Sequence, residues 1–313
     1  MLARLQQFIT FCLLAASIGW LAWFYNSGPG FAVTGCLLIA LSYIGFLGIE
    51  FLLLRHINKT DPAPLATRRE LLNAWWGEAL VAPRIFCWRQ PFRAHAVADN
   101  LSTSSVIQGK RGVVFIHGFF CNRGFWTPWL NRLQGNGHAF VALSLEPVFG
   151  SIDDYTAQIE AAVAQVTLAS GIPPLLVCHS MGGLAARAWL QTMKAEARVH
   201  HVVTIGTPHG GTWLARFSHG INGMQMRLAS SWQAGLDKNM PVDRHALFTC
   251  WYANSDNIVF PTSTATLRGA DNRLLRAVAH VQMAFEPQIM DHALSLLANT
   301  PIQAPQASKM TVA

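Results

Sequence analysis

Apolar residues run almost unbroken through the first sixty positions, and residues 5–49 contain no Asp, Glu, Lys or Arg. A charge-free run of that length exceeds the ~20 residues needed to cross about 30 Å of hydrocarbon. The turn residues Asn26-Ser27-Gly28-Pro29-Gly30 divide it. The pattern predicts two membrane spans, residues 8–25 and 31–54, with Trp20, Trp23, Phe24 and Tyr25 at headgroup level near the connecting loop. From residue 58 to 69 the chain turns polar, with Pro62 and Pro64, and reads as a juxtamembrane linker. Residues 70–82 carry Leu71, Leu72, Trp75, Trp76 and Leu80 at helical spacing, the tryptophans being expected to pack on the following domain. After Lys110 short apolar runs alternate with amphipathic stretches. Strands are predicted at residues 113–117, 139–145, 175–178, 199–205, 247–252 and 274–279, and helices at 125–133, 153–168, 181–193 and 285–297. Such alternation implies an α/β fold, a mostly parallel sheet with both faces covered and ligands at the carboxyl ends of its strands. The expected organisation is an anchor at 1–57, a linker and lead-in at 58–110, and a catalytic domain at 111–313 that holds a lid or cap insertion at 213–244 and ends in a loose tail, 304–313.

Composition agrees with an apolar anchor. Hydrophobic residues make up 51% of the chain and charged residues 12%, against roughly 25% charged in an ordinary soluble domain. A net charge of +7 points to anionic surfaces. With no zinc-finger spacing, long basic run or basic repeat, a lipid bilayer is the expected partner and nucleic acid is not. Arg4 precedes the first span, while Arg55, Lys59, Arg68 and Arg69 follow the second, which puts both ends and the catalytic domain on the cytoplasmic side of an inner (cytoplasmic) membrane. The rival reading is a signal peptide cleaved near Ala15-Ala16-Ser17, which still leaves the second span and a cytoplasmic domain. Glu50, near the cytoplasmic end of the second span and close to Arg55, is expected to reach the interface. The six cysteines form no CxxC pair and no metal-ligand spacing, and read as reduced, mostly buried thiols.

Chemistry concentrates at predicted strand ends. Leu175-Leu176-Val177-Cys178-His179-Ser180-Met181-Gly182-Gly183 passes from an apolar strand into a helix. A serine at that turn is held in strained backbone with its hydroxyl exposed, and small residues are needed two positions to either side, where chain and helix pass closely. Gly182 satisfies this on one side. Cys178, small but not glycine, stands on the other. The motif His179-Ser180-Met181-Gly182-Gly183 after an apolar strand resembles bacterial triacylglycerol lipases and esterases of the α/β-hydrolase fold, and the resemblance extends over about 112–297. It implies Ser180 as nucleophile. It also implies an oxyanion hole after Phe115-Ile116-His117-Gly118, from the N–H groups of Phe119 and Met181, with His117 and Gly118 shaping that loop. Triad order in this fold is serine, acid, histidine. Asp256, in Asn254-Ser255-Asp256-Asn257-Ile258-Val259-Phe260-Pro261, matches the acid loop, with Asp243 and Asp271 as competitors. His280, directly after the last predicted strand, matches the base, with His292 as its rival.

Thr207-Pro208-His209-Gly210-Gly211 resembles the segment that shapes the active-site floor in such lipases, and His209 is read as structural. Met224, Met226, Phe217 and Trp232 make the insertion an adaptable apolar surface, suited to an acyl pocket. The expected activity is hydrolysis of an acyl ester through an acyl-enzyme, on a lipid-like substrate and with no cofactor. An acyltransferase or thioesterase would use the same triad, and a third possibility is a membrane scaffold with an inert hydrolase domain. Some related lipases hold calcium near the histidine. Asp271 lies nearby without an evident second ligand, so no metal is expected.

Overall fold

The computed structural model describes residues 1–102, 105–240 and 242–298; the expected tail at 304–313 lies outside them. The apolar N-terminus forms helix α1 (Leu2–Phe24), α2 (Pro29–Ala40), which opens on a proline at its first position, and α3 (Ser42–Ile57). The second predicted span is not one straight helix, because α2 and α3 meet at a 51° bend around Leu41. Among the described residues, Leu2–Ser27 alone is by length and composition able to cross a membrane as a single helix, and the bent pair adds a second crossing only as one broken span. Helix α4 (Arg68–Pro83) starts at a capping box in which Thr67 and Glu70 satisfy each other's backbone N–H groups. A π-helical turn (Arg84–Arg89) and the short α5 (Gln90–Phe92) continue it. Trp75 donates to the Ile44 carbonyl of α3 at 3.0 Å and packs against the cluster that holds Phe260 and Ala279 of the sheet domain, whereas Trp76 is exposed.

The sheet comprises β1 (Val113–Ile116), β2 (Phe140–Ala142), β3 (Leu175–His179), β4 (His201–Ile205), β5 (Phe248–Ala253) and β6 (Asp271–Leu275). The strands run parallel in the order β2-β1-β3-β4-β5-β6. Helices α6 (Thr127–Leu133), α7 (Thr156–Ser170), α8 (Met181–Met193), α9 (Ile221–Gln225), α10 (Ser231–Lys238), α11 (His280–Met283) and α12 (Pro287–Ala298) complete the domain. Alternation along β3 sends Leu176 and Cys178 into a core shared with α7 and α8, and Leu175 and Val177 into one shared with α6 and α12, so both faces are covered. Strand β6 begins earlier and ends sooner than predicted. As an edge strand it carries exposed Asp271 and Asn272, which no apolar run reveals, and the left-handed Ala277 (φ 61°) ends it.

The insertion at 213–244 holds α9 and α10 between 3₁₀ turns. Arg187 Nη2 of α8 pairs with Asp237 of α10 at 2.6 Å, and Gln225 accepts from the Ile152 N–H at 2.8 Å, so the insertion is tied to the scaffold at both ends. The N-terminal helices dock where the loops after β5 and β6 emerge. Phe51 and Leu54 of α3, with Leu71 and Ala74 of α4, bury Phe260 and Ala279. Asn58 and Thr262 exchange two hydrogen bonds of 2.7 and 3.2 Å.

Candidate active site

Ser180 sits between β3 and α8 with φ 54° and ψ −128°, a conformation that L residues rarely adopt and that only close neighbours can hold in place. Those neighbours are on β1 and β4. The Ser180 N–H donates to the Ile205 carbonyl at 2.8 Å, and its carbonyl accepts from Thr207 Oγ1 at 2.8 Å. A Cβ on Gly182 would stand 2.3 Å from the Ile116 carbonyl oxygen, so the helix can approach β1 this closely only with glycine there. Cys178 fills the position on the strand side and is fully buried in the core.

The loop after β1 folds over the serine: a Cβ on Gly118 would lie 2.6 Å from Ser180 Cβ and 3.3 Å from its Oγ. His117 fixes this loop. The Leu145 N–H donates to its Nε2 at 3.0 Å, so Nδ1 carries the proton and donates to the Gly118 carbonyl at 2.8 Å. Burial pushes its pKa down to about 4, which keeps the ring neutral, and both nitrogens are occupied. The Phe119 N–H gives no hydrogen bond to another backbone carbonyl among the described residues, and Met181 opens α8, where an N–H has no intrahelical partner.

Asp256 is buried at 1% exposure on the loop after β5. Its Oδ1 accepts from the N–H groups of Ile258 (2.9 Å) and Val259 (2.8 Å), while Oδ2 accepts from His280 Nδ1 at 3.0 Å. That leaves His280 Nε2 as the nitrogen not held by the acid. The His280 ring lies 4.6 Å from the ring of His179, the residue before the serine, whose Nε2 donates to the His280 carbonyl at 3.1 Å. Phe125 stacks on the other side of His179 at 4.6 Å. Behind the pair stands Gly206 (φ 58°), where a Cβ would come within 3.1 Å of both Asp256 Oδ2 and His280 Nδ1. Burial alone would lower the His280 pKa, but Asp256, with Glu78 and Glu50 farther off, reverses this and raises it above the ordinary histidine value. Burial holds His179 well below that value.

Two further acids reach the site from the N-terminal elements, and motif reading missed both. Glu50 of α3 does not turn to an interface. It is buried and accepts from Asn257 Nδ2 at 2.6 Å, and Asn257 Oδ1 accepts the His280 N–H at 3.2 Å. Glu78 of α4 accepts the N–H groups of Val281 (3.1 Å) and Gln282 (3.0 Å), at the start of the short helix that His280 opens. Burial pushes Glu78 up to about 7 against the pull of those N–H groups and of His280. The one sequence signal was Glu50 itself, the acid that ends the charge-free run.

Of the competing residues, Asp271 and His292 lie elsewhere, and the side chain of Asp243 falls outside what the structure describes. Asp271, on the edge strand, pairs with Arg273 at 2.7 Å, and the His292 ring of α12 packs 5.8 Å from Trp251 of β5. His209 is buried in the floor, with its Nε2 3.2 Å from Thr204 Oγ1.

Residues 113–302 match the profile of the alpha/beta hydrolase family. No curated protein sequence matches the chain. Among solved structures, lipase BlEst2 of Bacillus licheniformis in its mature form superposes with a TM-score of 0.53 at 18% identity, over 60% of this chain and 92% of that one. Lipase B of Aspergillus fumigatus gives a TM-score of 0.55 at 18% identity, over 61% of this chain and 53% of the other. At these identities the likeness is one of fold.

Proposed function

The chain belongs to the alpha/beta hydrolase family, and on that premise we propose that it is a membrane-anchored serine hydrolase of carboxylic esters. The observation that carries this reading is the strained Ser180 under the Gly118 loop, with the buried His280–Asp256 pair, itself 3.0 Å apart, packed against the neighbouring His179 and against Gly206. In the reaction Ser180 Oγ attacks the ester carbonyl while His280 Nε2 takes its proton. The negative oxygen that forms is received by the N–H groups of Phe119, which gives no bond to a backbone carbonyl among the described residues, and of Met181, which opens α8. Collapse expels the alcohol with the proton from His280. Water, activated by the same histidine, then releases the acid from the acyl-enzyme. Asp256 holds the tautomer with Nδ1 protonated and stabilises the transient imidazolium.

The anchor comprises residues 1–57, which cross the bilayer once as α1 and once as the bent pair of α2 and α3, with the catalytic domain on the cytoplasmic side. Exposed Phe8, Phe11, Ile18, Leu38, Phe46 and Leu52 supply the apolar exterior this needs, and Arg55 and Lys59 follow the second crossing. An apolar insertion with exposed Phe217, Ile221 and Met224 favours an acyl-chain ester over a small polar one.

The test is hydrolysis of p-nitrophenyl esters of increasing chain length by the full-length protein in detergent or lipid, beside Ser180→Ala. A fluorophosphonate probe should label the parent and not the variant. Absence of both hydrolysis and labelling in a folded protein with lipid present would refute the reading.

A further inference from the structure

Away from the serine, the π-helical turn (Arg84–Arg89) and α5 face α6 across a cleft of ≈ 490 Å³. Arg84, Arg89 and Arg93 line it, together with Trp88, Thr127 and Asn131. Like charges collect there without compensation: among the described residues none of these three arginines is in an ion pair. The adjacent arginines are partnered, Arg123 with Asp99 at 2.6 Å and Arg132 with Asp291. Arg89 is half-buried, its guanidinium 5.7 Å above the Phe285 ring. Burial and the nearby Arg84 hold its pKa below the usual arginine value. Three guanidinium groups around a cleft that also offers a side-chain amide and a hydroxyl are suited to a phosphate group.

The surroundings indicate where the phosphate comes from. Trp88 and Phe92 are exposed and lie 5.9 Å apart, and Phe92 meets Phe11 of α1 at 5.7 Å. Gln7 Nε2 of α1 donates to the Pro91 carbonyl at 2.6 Å. The cleft therefore adjoins the first turns of the apolar helix, beside exposed Arg4, at the level where its exposed apolar side chains begin. Arginines together with tryptophan and phenylalanine at the end of an apolar helix match the chemistry of a headgroup layer. We propose that this cleft binds the phosphate of an anionic membrane lipid, holding the domain at a fixed depth and tilt against the leaflet. The site is independent of the ester chemistry and rests only on the anchor reading of α1.

The full-length protein in neutral-detergent micelles should retain phosphatidylglycerol in preference to phosphatidylcholine when lipids are titrated and bound copies counted by native mass spectrometry. Arg84→Gln/Arg93→Gln should weaken phosphatidylglycerol retention roughly thirtyfold, from the loss of two surface cations, and higher salt should weaken it in the parent. Arg84→Lys/Arg93→Lys should keep most of the binding. Fluorophosphonate labelling of Ser180 should be equal in all three proteins, which separates a lost lipid site from a lost fold or a mistaken catalytic reading. Equal retention of the two lipids, or of phosphatidylglycerol by parent and Gln variant, overturns the proposal. So does inorganic phosphate displacing phosphatidylglycerol at equal concentration, which would mark a site for a free anion.

Discussion

Glu50→Ala tests whether the apolar helices do more than tether the domain. Glu50 and Asn257 are both buried, at 8% and 1% exposure, and meet at 2.6 Å. Without the carboxylate, Asn257 Nδ2 is left as a buried donor with no acceptor, a penalty of about 1–3 kcal/mol. If the amide turns to recover a partner, the His280 N–H loses the Asn257 Oδ1 that it reaches at 3.2 Å, and the base shifts. Either way the working arrangement is disfavoured by about 1–3 kcal/mol, which at 1.36 kcal/mol per tenfold lowers kcat by about 5- to 150-fold. KM should stay within about twofold, since the change lies at the Asn257 contact behind His280. Glu50→Gln keeps an oxygen in reach of Asn257 and should recover most of kcat. The assay is steady-state ester hydrolysis by the full-length variants, with rates normalised to the fraction of Ser180 that takes a fluorophosphonate probe. A normalised kcat within twofold of the parent for Glu50→Ala, with Glu50→Gln no better, would show that the contact does not position the base. By the same reasoning, a chain lacking residues 1–57 should keep Ser180, Asp256 and His280 yet hydrolyse poorly.

Three other outcomes follow from the geometry. Gly182→Ala places a methyl group 2.3 Å from the Ile116 carbonyl and should lower stability by about 1–3 kcal/mol, with loss of hydrolysis, read by thermal unfolding and rate. The base must be neutral to act and its pKa is raised, so the acid limb of kcat/KM should lie above the ordinary ~6.5 of histidine. Asp256→Asn should move that limb to lower pH as well as slowing the rate. In stability terms the raised His280 pKa contributes fully below the unfolded histidine value and is lost as pH rises through the folded one, a dependence that Asp256→Asn should flatten in pH-resolved unfolding. Glu78→Gln turns an amide NH2 toward one of the two N–H donors now satisfied by Glu78, and should destabilise the protein by about 1–3 kcal/mol in chemical denaturation.

What the sequence disclosed follows from how local each signal is. Ser180, Gly182 and the loop at His117-Gly118 are legible because strand, turn and helix residues adjoin one another, and turn geometry dictates the residue types. Asp256 and His280 stand out by chain order and by the loops that carry them, and the structure brings the two together at 3.0 Å. Glu50, Glu78 and Asn257 were not, because their roles arise from contacts between residues 207, 203 and 23 positions apart, for which no short motif exists. Gly206 gave no sign either, since its need for a bare Cα comes from the His280 ring behind it. The bend at Leu41 was hidden by uniform hydrophobicity, which reports membrane preference but not straightness.

The distance along the chain between these partners bears on when the enzyme comes into being. Ser180 and its loops come from the middle of the sheet domain, whereas His280 is held by residues far from it in the chain: Glu50 and Glu78 come well before Ser180, and His280 to Gln282 well after it. Loop closure over some two hundred residues comes late, after local elements have formed. During synthesis, which runs from the N-terminus, a nascent chain carries Ser180 for about a hundred residues before His280 is made. On the proposed reading, a ribosome-stalled fragment ending short of residue 280 holds Ser180 but lacks His280, and should show no hydrolysis.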